Sequence, residues 1–141
     1  MSLAAVRPFF RTRLNSLGFR EHTDAFDDQN RAQNKLDKMY RIDSGPALGS
    51  EANQSIHTFD YDVSLVITLK GVGAKNVELR DRADTIAETI LADVLSPSVR
   101  MGTDIKNITP GTIAVTEYSA SDDNDLILTM GFTASIICNF I

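Results

Sequence analysis

The residues that could carry nucleophilic or metal chemistry are few in this sequence. His22 and His57 are the two histidines, and Cys138 is the single cysteine. Neither histidine has a partner at the spacing of a metal-binding pair. Cys138 falls on the apolar row of a strand, where a buried and inert thiol is the usual state. We therefore expect no enzymatic activity, no metal site and no cofactor.

Asp60 and Asp62 form the best candidate pair of carboxylates for acid/base chemistry. Residues two apart on a strand project from the same face, so the two side chains would lie together. The alternating pattern puts them on the polar face of their strand, away from the apolar surroundings that would raise the pKa of one of them. The sequence therefore predicts a solvated acidic face and not a catalytic pair.

Two short motifs match ligand-binding loops only in composition. Gly71-Val72-Gly73-Ala74-Lys75 lies between a strand and a helix, but it lacks the glycine spacing of a phosphate-binding loop. Asp122-Asp123-Asn124-Asp125 offers oxygen ligands, but it lacks the glycine and the distal glutamate of an EF-hand calcium loop. A plain turn and a solvated hairpin tip are the favoured interpretations.

Composition excludes several functional classes. The 14 basic and 19 acidic residues give a net charge of −5, which argues against a surface built to neutralise nucleic-acid phosphates. A single cysteine cannot form an internal disulfide, which favours the reducing cytosol. Arg7, Arg11 and Arg13 interrupt the apolar residues near the start of the chain, so we expect neither a secretory signal nor a membrane span.

The periodicity predicts an α+β fold in a single domain, residues 1–141, with the element order α-β-β-α-β-β. Gly18 is expected to end the first helix, and Asn76 to begin the second. We expect a mainly antiparallel four-stranded sheet with two helices packed on one face. The expected elements are a helix over about 3–17, a polar loop over 19–35, strands over about 36–43 and 56–70 joined by a flexible loop over 44–55, a helix over about 76–95 and a hairpin over about 112–140.

The two polar segments 19–35 and 44–55 have no evident purpose in a monomer. Structureless connections longer than about 12–15 residues are uncommon in compact domains and are often functional. Segment 44–55 has too little apolar surface, with Leu48 as its largest side chain of this kind before Ile56, to offset an ordering cost of roughly 1–2 kcal/mol per residue. We therefore expect both segments to become ordered against a partner.

Several runs of residues resemble one protein family in order and spacing over nearly the whole chain. Leu17-Gly18-Phe19 follows the first helix, and a long alternating strand ends in Lys70-Gly71. Ile105-Lys106-Asn107-Ile108 precedes a closing hairpin that is split by the acidic residues 121–125. With Phe26-Asp27-Asp28-Gln29-Asn30 and Leu36-Asp37-Lys38-Met39-Tyr40-Arg41-Ile42, these runs resemble the tail terminator proteins, also called neck or tail-completion proteins, of long-tailed bacteriophages.

The resemblance implies a non-enzymatic structural protein of the virion tail or neck, assembled in the host cytoplasm. Subunits of this family form a ring, usually a hexamer, that caps the tail tube. The implied partners are further copies of the chain, the major tail tube protein and the head-completion connector protein. DNA would pass through the ring without specific binding, and no membrane would be involved.

From this resemblance and the charge pattern we expect two sets of functional residues. Asp60 and Asp62 would face the DNA channel. The expected contacts to a neighbouring subunit or to the tail are Arg7, Arg11, Arg13, Phe26, Asp27, Asp28 and Leu48.

Two other functions stay open. One is a tail-tube or head-closure ring subunit, and the other, from a different class, is a small-ligand-binding α+β domain.

Overall fold

A computed structural model of the chain describes residues 3–21, 38–51, 56–69, 76–101, 103, 105–117 and 126–139. These residues form an α+β fold, as the sequence predicts, with five strands, three α-helices and one 3-10 turn over Leu3–Ala5. The helices are α1 (Val6–Ser16), α2 (Asn76–Val94) and α3 (Pro97–Arg100). The strands are β1 (Arg20–Glu21), β2 (Met39–Glu51), β3 (Ile56–Leu69), β4 (Ile105–Glu117) and β5 (Leu126–Asn139).

The strands form a mixed sheet in the order β1-β2-β3-β5-β4. The long strands are antiparallel to their neighbours, and β1 is parallel to β2, with Arg20 opposite Met39. The prediction of four strands was therefore wrong, because a strand of two residues leaves no periodic signal. This strand lies at the start of the predicted polar loop 19–35, of which residues 22–35 lie outside the described part of the chain.

Strand β2 corrects the predicted flexible loop over 44–55. The expected strand over 36–43 begins at Met39 and continues to Glu51, which pairs with His57 of β3. The register shifts between Ser44 and Ala47, so a bulge takes up Gly45 and Pro46. An edge strand tolerates proline at a bulge because no neighbour needs its missing N–H. Residues 52–55 of the predicted loop lie outside the described residues.

Strand β4 corrects the start of the predicted hairpin over 112–140. It begins at Ile105 and pairs with β5 along its length, with register shifts between Ile105 and Asn107 and between Pro110 and Ile113. Pro110 and Gly111 lie in the second shift. The proline and glycine therefore mark a bulge in an edge strand rather than a loop. The acidic tip at 121–125 and the glycine motif at 71–75 lie outside the described residues.

The hydrophobic core lies between one face of the sheet and the helices. Alternation in β3 and β5 directs every second side chain to this face, and the register aligns the two rows, with Leu65 opposite Met130. Helix α1 packs beside β2, and α2 packs over β4 and β5. The helical side chains that fill this core are Val6, Phe9, Phe10 and Leu14 of α1 and Ala83, Ile86, Ala87, Ile90 and Val94 of α2.

Helix α1 ends as the sequence predicts. Gly18 has φ +91°, the left-handed conformation that glycine adopts without a Cβ clash. The N–H groups of Gly18 and Phe19 donate to the carbonyl oxygens of Asn15 at 3.2 Å and Leu14 at 3.1 Å. This turn directs Phe19 back into the core and starts β1 beside β2.

Candidate interaction surfaces

The second face of the sheet carries no helix in the described part of the chain. Asp60 and Asp62 lie near its centre, and both are exposed. Ser135 Oγ donates to Asp60 Oδ1 at 2.7 Å, and Thr133 Oγ1 donates to Asp62 Oδ1 at 2.9 Å. These hydroxyl groups come from the paired positions on β5. We call this surface the open face.

The open face has the character of a solvated acidic surface. Each carboxylate accepts a hydrogen bond from a hydroxyl group, and both side chains are exposed to solvent. A trough of about 330 Å³ runs beside Asp62 over the small residues Ser64, Ala114 and Gly131. Within the described residues, no group of three or more His, Cys, Asp or Glu side chains could hold a metal ion.

The cysteine and one histidine meet across the sheet. The register places Cys138 opposite His57 on the helix-covered side. Cys138 is fully buried. A thiol without solvent access cannot reach a substrate, so this pairing belongs to the packing of the sheet. His22 lies outside the described residues.

The three arginines of the first helix make contacts within the chain. Arg7 donates to the carbonyl oxygen of Ile42 at 2.9 Å and to Ser44 Oγ at 3.2 Å. Arg11 Nε donates to Glu21 Oε2 at 2.6 Å, and this bond raises the pKa of Arg11. Arg7 and Arg11 therefore face the β1–β2 edge. Three other residues expected as contacts to a neighbouring subunit or to the tail, Phe26, Asp27 and Asp28, lie outside the described residues.

Arg13 lies on the other side of α1 and joins it to α2. Its Nε and Nη2 each donate to a carboxylate oxygen of Asp93 at 2.7 Å. The two-bonded geometry is the strongest form of an arginine–carboxylate pair, and the hydrogen bonds raise the pKa of Arg13. The pair fixes the rotation of α2 about its own axis relative to α1.

Tyr40 holds α1 against β2. Its side chain is buried, and its hydroxyl donates to Asn15 Oδ1 at 2.7 Å. Burial, assisted by the negative charge of Glu21, raises the pKa of Tyr40 from 10.0 to about 12, and the nearby Arg11 offsets part of this rise. The neutral phenol is therefore the form that the folded chain stabilises.

This shift predicts a loss of stability at alkaline pH. Above pH 10.0 the unfolded chain releases the phenol proton while the folded chain holds it to about pH 12. The free energy of unfolding should therefore fall through this interval by about 2–3 kcal/mol, because the unfolded state binds fewer protons. Urea unfolding at a series of pH values measures it. Tyr40→Phe should remove most of the pH dependence, and Tyr61→Phe should retain it. Equal slopes for the two variants would contradict the assignment to Tyr40.

Three exposed apolar side chains lie near the two edges of the sheet. Leu48, expected from the sequence as a contact, is 76% exposed and pairs with Asp60 at the β2 edge. Met101, after α3, is 80% exposed, and Ile113 on β4 is 41% exposed. Neither Met101 nor Ile113 was expected from the sequence as a contact. Ile113 belongs to an apolar row that is typical of core, and its exposure follows from the position of β4 at the end of the strand order.

A comparison with models of protein families and with curated protein sequences finds no match to this chain. Among the described residues, no helix combines the length and the apolar character needed to cross a membrane.

Proposed function

We propose that this chain is a tail terminator subunit of a long-tailed bacteriophage. Copies of it form a closed ring, a hexamer, that caps the tail tube and connects it to the head-completion protein. The observation that carries the proposal is the one-sided sheet. Helices cover one face, while the long β3 and β5 strands present exposed carboxylates on the other.

The runs of sequence that resemble this family occupy structural positions in the described residues. Leu17-Gly18-Phe19 forms the turn that leads from α1 into the sheet. Tyr40 and Ile42 carry the contacts of β2 with α1. Ile105 and Ile108 are the buried residues of β4. These roles support the resemblance because they involve the elements that determine the shape of the domain.

The charge of the open face suits a channel through which DNA moves. An exposed carboxylate repels phosphate, and the net charge of −5 leaves few cations to release the counterions of DNA. A ring with Asp60 and Asp62 towards its axis would therefore let the duplex pass without holding it. The helix-covered side would then face outwards.

Tail-tube assembly tests the proposal. The major tail tube protein of the same phage is polymerised with and without the purified chain, and tube lengths are measured by negative-stain microscopy. A terminator should shorten the tubes in proportion to its concentration and leave a ring at one end. Continuous tubes built from this chain itself would favour the tail-tube alternative. Unchanged tube lengths with no bound ring would contradict a terminator role.

A further inference from the structure

One flank of the molecule is basic. It consists of α1, β1 and the outer edge of β2, and its described side chains include Arg7, Arg11, Arg20 and Lys38. Glu21 neutralises one of these cations through its bond to Arg11. Arg41 and Asp43, further along β2 on the side of the open face, pair with each other and add no net charge. Arg20 is exposed, so this flank presents an excess of positive charge to solvent.

The side of α2 that faces away from α1 carries three carboxylates, and we call it the acidic flank; Arg100 on α3 and Lys106 on β4 lie beyond its C-terminal end. Asp93 marks the side of α2 that faces α1, because it binds Arg13. Asp84 lies nine residues earlier, which is about two and a half turns, so it projects from the opposite side, above β4. Glu88 follows one turn later, and both carboxylates are exposed. Asp81 adds a third acidic residue, and Arg80, one turn before Asp84, adds one positive charge.

Each charged flank also offers apolar surface. Leu48 lies at the β2 edge on the same face as Asp60, towards the Glu51 end of the strand and away from Lys38. On the acidic side Ile113 shares the helix-covered face with Met130, but it lies at the uncovered β4 edge. Met101 lies between α3 and β4. Apolar side chains bordered by complementary charges are the pattern of a specific protein contact.

We propose that the basic flank of one copy docks against the acidic flank of the next copy. The two surfaces differ, so the contact is heterologous, and repeated contacts of this kind close into a ring. The inference deepens the proposed terminator function, on which it rests, by naming the two surfaces that meet. Arg20 and Lys38 would approach Asp84 and Glu88 across the boundary.

The backbone edges indicate that side chains form this contact. Pro46 interrupts the outer edge of β2, and Pro110 interrupts that of β4, each at a bulge. Arg7 already binds the edge carbonyl oxygen of Ile42. These features prevent one sheet from continuing into the next, which protects the free subunit from uncontrolled edge-to-edge association.

Charge reversal on each flank tests the proposal. One variant carries Arg20→Glu and Lys38→Glu, and the other carries Asp84→Lys and Glu88→Lys. Each alone faces like charges across the boundary, so its self-association constant should fall at least about tenfold. Mixed in equal amounts, the two variants should assemble again, in rings of alternating subunits. Native mass spectrometry and analytical ultracentrifugation at low and high salt provide the measurements.

Thr89→Lys provides the control. This exposed threonine lies one turn before Asp93, on the side of α2 that faces α1, so the added cation should leave assembly unchanged. Circular dichroism verifies that each variant is folded. If both reversed variants assemble as the wild type does, the proposed flanks are wrong, while the proposal that the chain forms a ring is unaffected. Filaments of the wild type that respond to charge reversal would support the flanks and contradict the terminator function. A wild type that stays monomeric at every concentration would overturn the proposed contact.

Discussion

Phe10→Ala should lower the free energy of unfolding by about 3–5 kcal/mol. The Phe10 ring is fully buried, at 5.4 Å from the ring of Phe132 on β5 and at 5.4 Å, edge to face, from that of Phe9. Truncation removes the transfer free energy of the ring and leaves a cavity between helix and sheet. The helix and the sheet cannot close this cavity unless α1 moves towards the sheet.

Chemical denaturation followed by circular dichroism measures the effect. Thr12→Ala on the exposed side of the same helix is the control, and its effect should remain within about 0.5 kcal/mol. Because α1 carries Arg7 and Arg11, loosening it should also weaken assembly. A destabilisation by Phe10→Ala below about 1 kcal/mol would show that α1 is not anchored through this ring.

The interior of the fold could be predicted from the sequence because its signal is uninterrupted. Every second position is apolar from Phe59 to Leu69 in β3 and from Leu126 to Cys138 in β5, and the two strands pair without a register shift from Ile56 to Leu69. Gly18 could be assigned to the end of α1 because its role requires only local backbone geometry. Central strands and helix ends are therefore the part of this fold that local residue patterns determine.

The full lengths of β2 and β4 could not be predicted, because proline and glycine occur both in loops and at bulges within strands. Gly45-Pro46 and Pro110-Gly111 are typical of loops, yet both pairs lie at bulges in strands, at positions where no described strand pairs with the outer edge. The spacing of apolar residues indicates β4 only weakly. Ile105 and Ile108 precede Pro110-Gly111, and Ile113 follows it. Their intervals match neither the period of a strand nor that of a helix until the bulges are included.

The interaction surfaces were only partly predictable for a related reason. Alternation alone places Asp60 and Asp62 on the polar face of β3. The contacts of Arg11 with Glu21 and of Arg13 with Asp93 join residues 10 and 80 positions apart and depend on how α1 packs. The charge difference between the two flanks follows from that packing, because it determines which side of α2 faces away from α1.

Asp60→Lys with Asp62→Lys should convert the assembled protein into a DNA-binding ring. The wild type should bind duplex DNA weakly at physiological salt, because its net charge is −5 and its open face carries exposed carboxylates. Each lysine replaces a negative charge with a positive one, and every copy in the ring contributes two such changes. Counterion release and the multivalency of the ring should then raise the affinity by at least about two orders of magnitude.

Fluorescence anisotropy with a labelled duplex, repeated over a series of salt concentrations, measures the affinity and its salt slope. Asp60→Asn with Asp62→Asn is the matched control, since amides accept the hydrogen bonds of Ser135 and Thr133 without the charge. The control should gain much less affinity than the lysine variant. The gain of the lysine variant must also be larger in rings than in monomers, because only a channel brings the open faces of several copies around one duplex. A gain of the same size in both states would mean that the open face lies outside the channel.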